Sequence, residues 1–158
     1  MKLPFAALVV CLLATGAAVD KKPNPAEASA KAWLASMTSK DGVAAVTKDK
    51  PLMFWSDTPV SSCTSGKATT ADDMKKVKKC LQDQVKAIGV DGSAGAAKLA
   101  DVIKGFDKKH HAAMKAAAKD TTLVQFDYAG DGQTLKIALA VAADQSIKAL
   151  WVAAEAVE

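Results

Sequence analysis

The chain has 158 residues, half of them hydrophobic, with 21 basic side chains against 17 acidic ones and a net charge of +4. Every basic residue is lysine, and only 5% of the chain is aromatic. Without a guanidinium fork for phosphates or guanine edges, and with few rings to stack bases on, this composition argues against a nucleic-acid partner.

The first eighteen residues read as an export signal. Lys2 precedes an apolar run from Leu3 to Leu13, followed by the small-residue stretch Ala14-Thr15-Gly16-Ala17-Ala18. That is the charged, apolar and small-residue order of a secretory signal peptide, with cleavage expected after Ala18. The run is shorter than the roughly 20 apolar residues a membrane-spanning helix needs, so no transmembrane segment is expected. The organisation predicted is a signal peptide over 1–18, a short tether over 19–24 and a single domain over 25–158, long enough to bury its own core. The expected location is periplasmic or extracellular. Cys11 lies inside the leader, which leaves Cys63 and Cys80 as an even pair in an oxidising compartment. A disulfide between them is expected. Its closed loop of about 17 residues corresponds to roughly 3 kcal/mol in the chain-entropy model.

Asn24 is a good N-cap and Pro25 suits a first helical position. Ala30, Trp33, Leu34 and Met37 then recur at helical spacing, and the helix is expected to stop near Ser39 to Gly42. One more helical turn is expected over Val43 to Thr47. After Lys48-Asp49-Lys50-Pro51, the run Leu52-Met53-Phe54-Trp55 predicts a buried strand. Ser56 to Thr70 has loop composition, with room for a second strand around Val60 to Thr64. Thr70 caps a long helix whose first turn holds Asp72 and Asp73, where the helix dipole favours negative charge. Met74, Val77, Leu81, Val85 and Ile88 mark its inner face, and Lys75, Lys76, Lys78 and Lys79 read as its solvated face. Gly89 to Gly95 is expected to end it as a loop. A further helix is expected from about Ala96 to Lys119, with Gly105 bending or splitting it.

The period then changes. Thr122 to Tyr128, Leu135 to Val141 and Ile147 to Val152 predict three strands, joined at Gly130-Asp131-Gly132 and Ala143-Asp144-Gln145-Ser146. The predicted class is α+β: N-terminal and long helices packed on one side of a curved antiparallel sheet that ends in a three-stranded meander. This order, with the endings Leu135-Lys-Ile-Ala-Leu-Ala-Val and Ile147-Lys-Ala-Leu-Trp-Val, resembles the nuclear transport factor 2-like superfamily over about residues 25–154. The resemblance implies a sheet wrapped around a long helix into a cone. It also implies a range of roles from isomerases and dehydratases to small-ligand binders and interaction modules. The isomerases of that superfamily pair an acidic base with a tyrosine inside the cone. Here Asp127 and Tyr128 are adjacent on a strand and face opposite ways, so those roles are not carried over.

Few residues carry chemistry. His110 and His111 diverge on a helix and make a poor metal pair; Asp107 reaches either at helical spacing, which makes the three weak acid–base candidates and otherwise surface residues. No three-ligand metal set is visible, and neither metal nor cofactor is expected. Phe54, Trp55, Leu139 and Trp151 are the candidates for a pocket wall or docking surface. Phe54 and Trp55 are consecutive on a strand, so one of them is a candidate for exposure. The sequence therefore points to a non-catalytic module that binds a small apolar ligand or an envelope or secreted protein. The alternative is a small isomerase or hydrolase with an acidic general base in an apolar pocket.

Overall fold

Asn24 and Pro25 open the first helix as the sequence predicts. The Asn24 side chain accepts from Ala26 N at 3.0 Å, satisfying a donor that helix geometry leaves unpaired. This helix, α1, spans Pro25–Thr38, and Ala26, Ala30, Leu34 and Met37 form its buried stripe. The computed structural model describes residues 24–58, 63–88, 92–130 and 132–156. The expected signal peptide, most of the tether, residues 60–62 of the suggested second strand and the turn residue Asp131 lie outside those residues.

The other elements are β1 (Leu52–Asp57), β2 (Gly66–Ala68), α2 (Ala71–Ile88), β3 (Gly92–Ala96), α3 (Leu99–Val102), α4 (His111–Ala118), β4 (Thr121–Gly130), β5 (Gln133–Ala142) and β6 (Ile147–Ala156). A capping box starts α2: Thr70 Oγ1 accepts from Asp73 N at 3.2 Å, and Asp73 Oδ2 accepts from Thr69 N and Thr70 N, both at 3.1 Å.

Three local expectations are corrected. Residues 43–47 make no helical turn; they run irregularly into a tight turn where Thr47 Oγ1 accepts from Lys50 N at 3.0 Å. Residues 92–96, expected as the end of a loop and the first residue of a helix, form an edge strand paired antiparallel with β4. Backbone pairing with a long neighbour overrides the low strand preference of glycine and serine there. The helix expected over 96–119 is broken into α3, two single 3₁₀ turns (Ile103–Gly105 and Lys108–His110) and α4. Phe106 is extended, and the Asp107 carboxylate accepts from Lys109 N at 2.9 Å, which starts the chain turning again.

The six strands lie in the order β2-β1-β6-β5-β4-β3. The β4-β5-β6 meander is antiparallel, as expected, and Gly132 takes a positive φ of 74° in its first turn. β1 runs parallel to β6, so the sheet is mixed rather than wholly antiparallel. The α+β class holds.

The sheet is covered on both faces, not on one. Strand alternation sends Leu135, Ile137 and Leu139 of β5, with Leu150 and Val152 of β6, toward α1 and α2. The intervening positions, Ala138, Ala140, Ala149 and Ala153, are small, and beside the tryptophan pair on the same face they admit a second layer that brings in Phe106 and Met114. The Trp55 and Trp151 rings stack at 5.5 Å between centroids. These alanines are thus a floor for bulky side chains arriving from the 99–118 segment. Among the described residues Trp151 Nε1 has no hydrogen-bond partner, so that ring is held by its packing and its stack.

The expected disulfide is present. Cys63 and Cys80 are bonded with Cα atoms 4.9 Å apart, tying the segment before β2 to α2. It is compatible with an oxidising, exported location. No described helix is long and apolar enough to cross a membrane.

Candidate ligand-binding groove

At the end of the sheet where β1 and β6 begin and β5 finishes, the two helical layers do not meet. They leave a groove of about 900 Å³. Trp33 and Ser29 of α1 bound it on one side and Ala116 and Ala117 of α4 on the other. The irregular segment through Ala44, Val46 and Pro51 supplies a third wall, and Leu52 with Met74, both fully buried, lies beneath. A volume of this size is typical of small-molecule sites, which are mostly apolar with a few polar groups at the rim.

The wall over residues 40–51 is fixed by α2. Lys78 Nζ donates to Lys40 O at 2.9 Å and to Gly42 O at 2.6 Å, and one turn on Gln82 Nε2 donates to Ser39 O at 3.1 Å and to Thr38 O at 3.3 Å. Thr38 O is a carbonyl that the end of α1 leaves free, and the other three belong to the segment that follows it. Lys78 is therefore 8% exposed and belongs to the packing. That corrects the reading of all four clustered lysines as a solvated face, which holds for Lys75, Lys76 and Lys79. Gly42 sits where a Cβ would strike Ser36 O and come within 2.6 Å of Ser36 Oγ.

The rim is charged. Asp49, Lys50, Lys119, Asp144 and Lys148 are all exposed around the mouth. The turn between β5 and β6 is ordered by Asp144, which accepts from Ser146 Oγ and from Ser146 N, the latter at 3.0 Å. Those two bonds, and then the nearby charges of Lys50 and Lys148, hold the Asp144 carboxyl below its ordinary value. Gln145 in the same turn has a positive φ of 67°, and its Oε1 accepts from Ser29 Oγ at 3.0 Å, which joins the turn to α1.

The residues singled out from sequence lie elsewhere. Phe54 and Leu139 are buried in the α1–α2 core, while Trp55 and Trp151 are buried in the opposite core. The expectation that Phe54 or Trp55 is exposed fails because both faces of the sheet are covered. Phe54 underlies a smaller pocket of about 440 Å³ beside Lys67, Lys76 and Lys79, and Trp151 underlies one of about 390 Å³ beside Gly105 and Phe106. The weak acid–base candidates share no hydrogen bond among the described residues. Asp107 bonds the Lys109 backbone and pairs with the Lys109 ammonium at 3.2 Å. The Asp107 carboxyl is held low mainly by that backbone bond. His111 Nε2 lies 2.8 Å from Phe106 O instead, and no hydrogen bond joins Asp107 to either imidazole. Among the described residues no group of three or more His, Cys, Asp or Glu is placed to hold a metal ion.

Sequence reasoning missed Trp33 as a groove residue. The signal was the small size of Ser29 and Ala32 on the same side of α1, which leaves the indole half-buried rather than enclosed. Compared with protein-family models, curated proteins and solved structures, the chain finds no match.

Proposed function

We propose that this chain is an exported, disulfide-stabilised α+β module that holds a small apolar ligand in the groove at the end of its sheet and performs no chemistry on it. The observation that carries the reading is the groove itself, a cavity of about 900 Å³ with an apolar floor. The order of helix, strand, long helix and meander supports the likeness to the nuclear transport factor 2-like superfamily as part of the same reading. The Cys63–Cys80 bond supports export. An acid-base enzyme draws less support, because the groove's carboxylates, Asp49 and Asp144, are exposed and Asp144 is held low. A general base working near neutral pH needs the opposite environment.

Nile red, a neutral apolar dye, tests this. Saturable binding with Kd on the order of 10 μM is expected. The paired variant Ala45→Phe/Ala116→Phe places two rings at exposed groove positions and is expected to weaken binding at least tenfold while unfolding at an unchanged midpoint. Dye binding that the two phenylalanines leave untouched, or no saturable binding, rejects the groove as the site.

A further inference from the structure

Six of the described lysines are held in ion pairs and the others are not. Lys31, Lys75, Lys79, Lys104, Lys109 and Lys136 each pair with a carboxylate, at 2.7 to 3.2 Å. Lys50, Lys119 and Lys148, like Lys67 and Lys98 elsewhere, make no ion pair among the described residues, and these three line the groove together with Asp49 and Asp144. Lys50 and Lys148 line the cavity with Asp144, and both help to lower its carboxyl. Asp144 is hydrogen-bonded by Ser146 and keeps its charge, and the three groove lysines exceed the two groove carboxylates, Asp49 and Asp144, by one charge. Lys119 is the residue that closes α4 at the same cavity. Unpaired cations around an apolar trough are the arrangement expected for a ligand with a charged head and a hydrophobic body.

We infer that the groove selects a single-chain amphiphile with an anionic head, its apolar body lying against Trp33, Val46 and Leu52 and its carboxylate set between Lys50 and Lys148. The inference rests on the ligand-binding reading above and names the ligand class. A lysine ammonium is a compact point charge that imposes no fixed geometry, so it suits a carboxylate at the end of a flexible chain. The same headgroup chemistry occurs on an anionic bilayer, but a bilayer does not fit this surface. Among the described residues the exposed large hydrophobic side chain is Val43 alone, at 42%, which leaves no apolar patch to enter a membrane. The apolar contact area is concave, and only a monomer reaches into it.

Displacement of Nile red by decanoate and by 1-decanol tests the inference, with the two compared at equal concentration. Decanoate is expected to bind about tenfold more tightly in low salt, and the ratio to approach one in about 1 M salt as the charges are screened. The Lys50→Gln/Lys148→Gln variant is expected to lose that tenfold for decanoate and nothing for decanol, while Lys104→Gln, outside the groove, changes neither. Equal displacement by acid and alcohol overturns the headgroup assignment and leaves the groove reading intact. If Nile red itself does not bind saturably, or the phenylalanine pair does not affect it, both readings fall. Co-sedimentation with phosphatidylglycerol vesicles, without displacement by monomeric decanoate, also overturns the inference, in favour of a surface that docks on lipid.

Discussion

Replacing Lys78 with methionine keeps most of the aliphatic stem and removes the ammonium that donates to Lys40 O and Gly42 O. Hydrogen bonds made by a charged group contribute about 1.5–3 kcal/mol each. Two of them set a ceiling near 6 kcal/mol, which two effects reduce. The buried ammonium carries a desolvation cost that methionine does not, and both carbonyls lie where water can replace the lost donor. The expected loss is therefore about 2–3 kcal/mol, a large share of the 5–15 kcal/mol typical of a domain. Urea unfolding followed by tryptophan fluorescence measures it, with Lys76→Met as the comparison. Lys76 is exposed on the same helix, and its variant is expected to stay within about 0.5 kcal/mol of the parent. The groove wall supplies a second readout. With residues 40–51 no longer pinned to α2, affinity for Nile red is expected to fall along with stability. Equal and small losses for the two variants would refute the assignment of Lys78 to the packing.

Gly42→Ala is expected to destabilise by about 1–3 kcal/mol, because the new Cβ meets the Ser36 carbonyl of α1, which can move only with its helix; thermal unfolding reads this, and an unchanged midpoint contradicts the close approach. Removing the disulfide as Cys63→Ser/Cys80→Ala is expected to cost about 3 kcal/mol, with part of any excess coming from the buried Cys80 site. Guanidinium unfolding of the variant beside the oxidised parent measures that loss, and coincident curves would count against a structural role for the bond. The Asp73 carboxyl is held below 3.8, first by the Thr69 backbone N–H and then by the Thr70 hydroxyl. Its contribution is thus present above the unfolded value and is lost as pH falls through the lower folded one. Asp73→Asn is therefore expected to be less stable near neutrality and to lose stability less steeply below about pH 4. Parallel pH profiles for the two proteins would remove the cap from the account.

Where each structural signal is local, the sequence carried it. Asn24-Pro25 and Thr70 with Asp73 declare their helix starts because the capping atoms come from within three residues. The meander declares itself because period-two alternation and a glycine turn are properties of adjacent residues. The pairing of Cys63 with Cys80 followed from there being no other partner once the leader was set aside. The misreadings share the opposite cause. Residues 92–96 are a strand only because β4 offers its edge, and nothing in Gly-Ser-Ala-Gly-Ala reports that neighbour. Lys78 resembles Lys75, Lys76 and Lys79 in type and spacing, yet its carbonyl partners are 36 and 38 residues away in sequence.

The alanines of β5 and β6 make the same argument for the functional site. In a strand whose other face carries Leu135, Ile137 and Leu139, alanine at 138 and 140 reads as a solvent face with small side chains. It is in fact the condition for a second layer, since Phe106 and Met114 need that depth to pack on the sheet beside Trp55 and Trp151. Once that layer exists, the consecutive aromatics Phe54 and Trp55 are both buried and neither can be a docking surface. The cavity is displaced to the sheet's end, where the packing of α1 on one face and α4 on the other runs out. A groove of that origin is lined by residues drawn from α1, the 44–51 segment, α4 and the β5–β6 turn. No single stretch of sequence holds it, and the rim lysines Lys50, Lys119 and Lys148 acquire their common role only when the second layer closes.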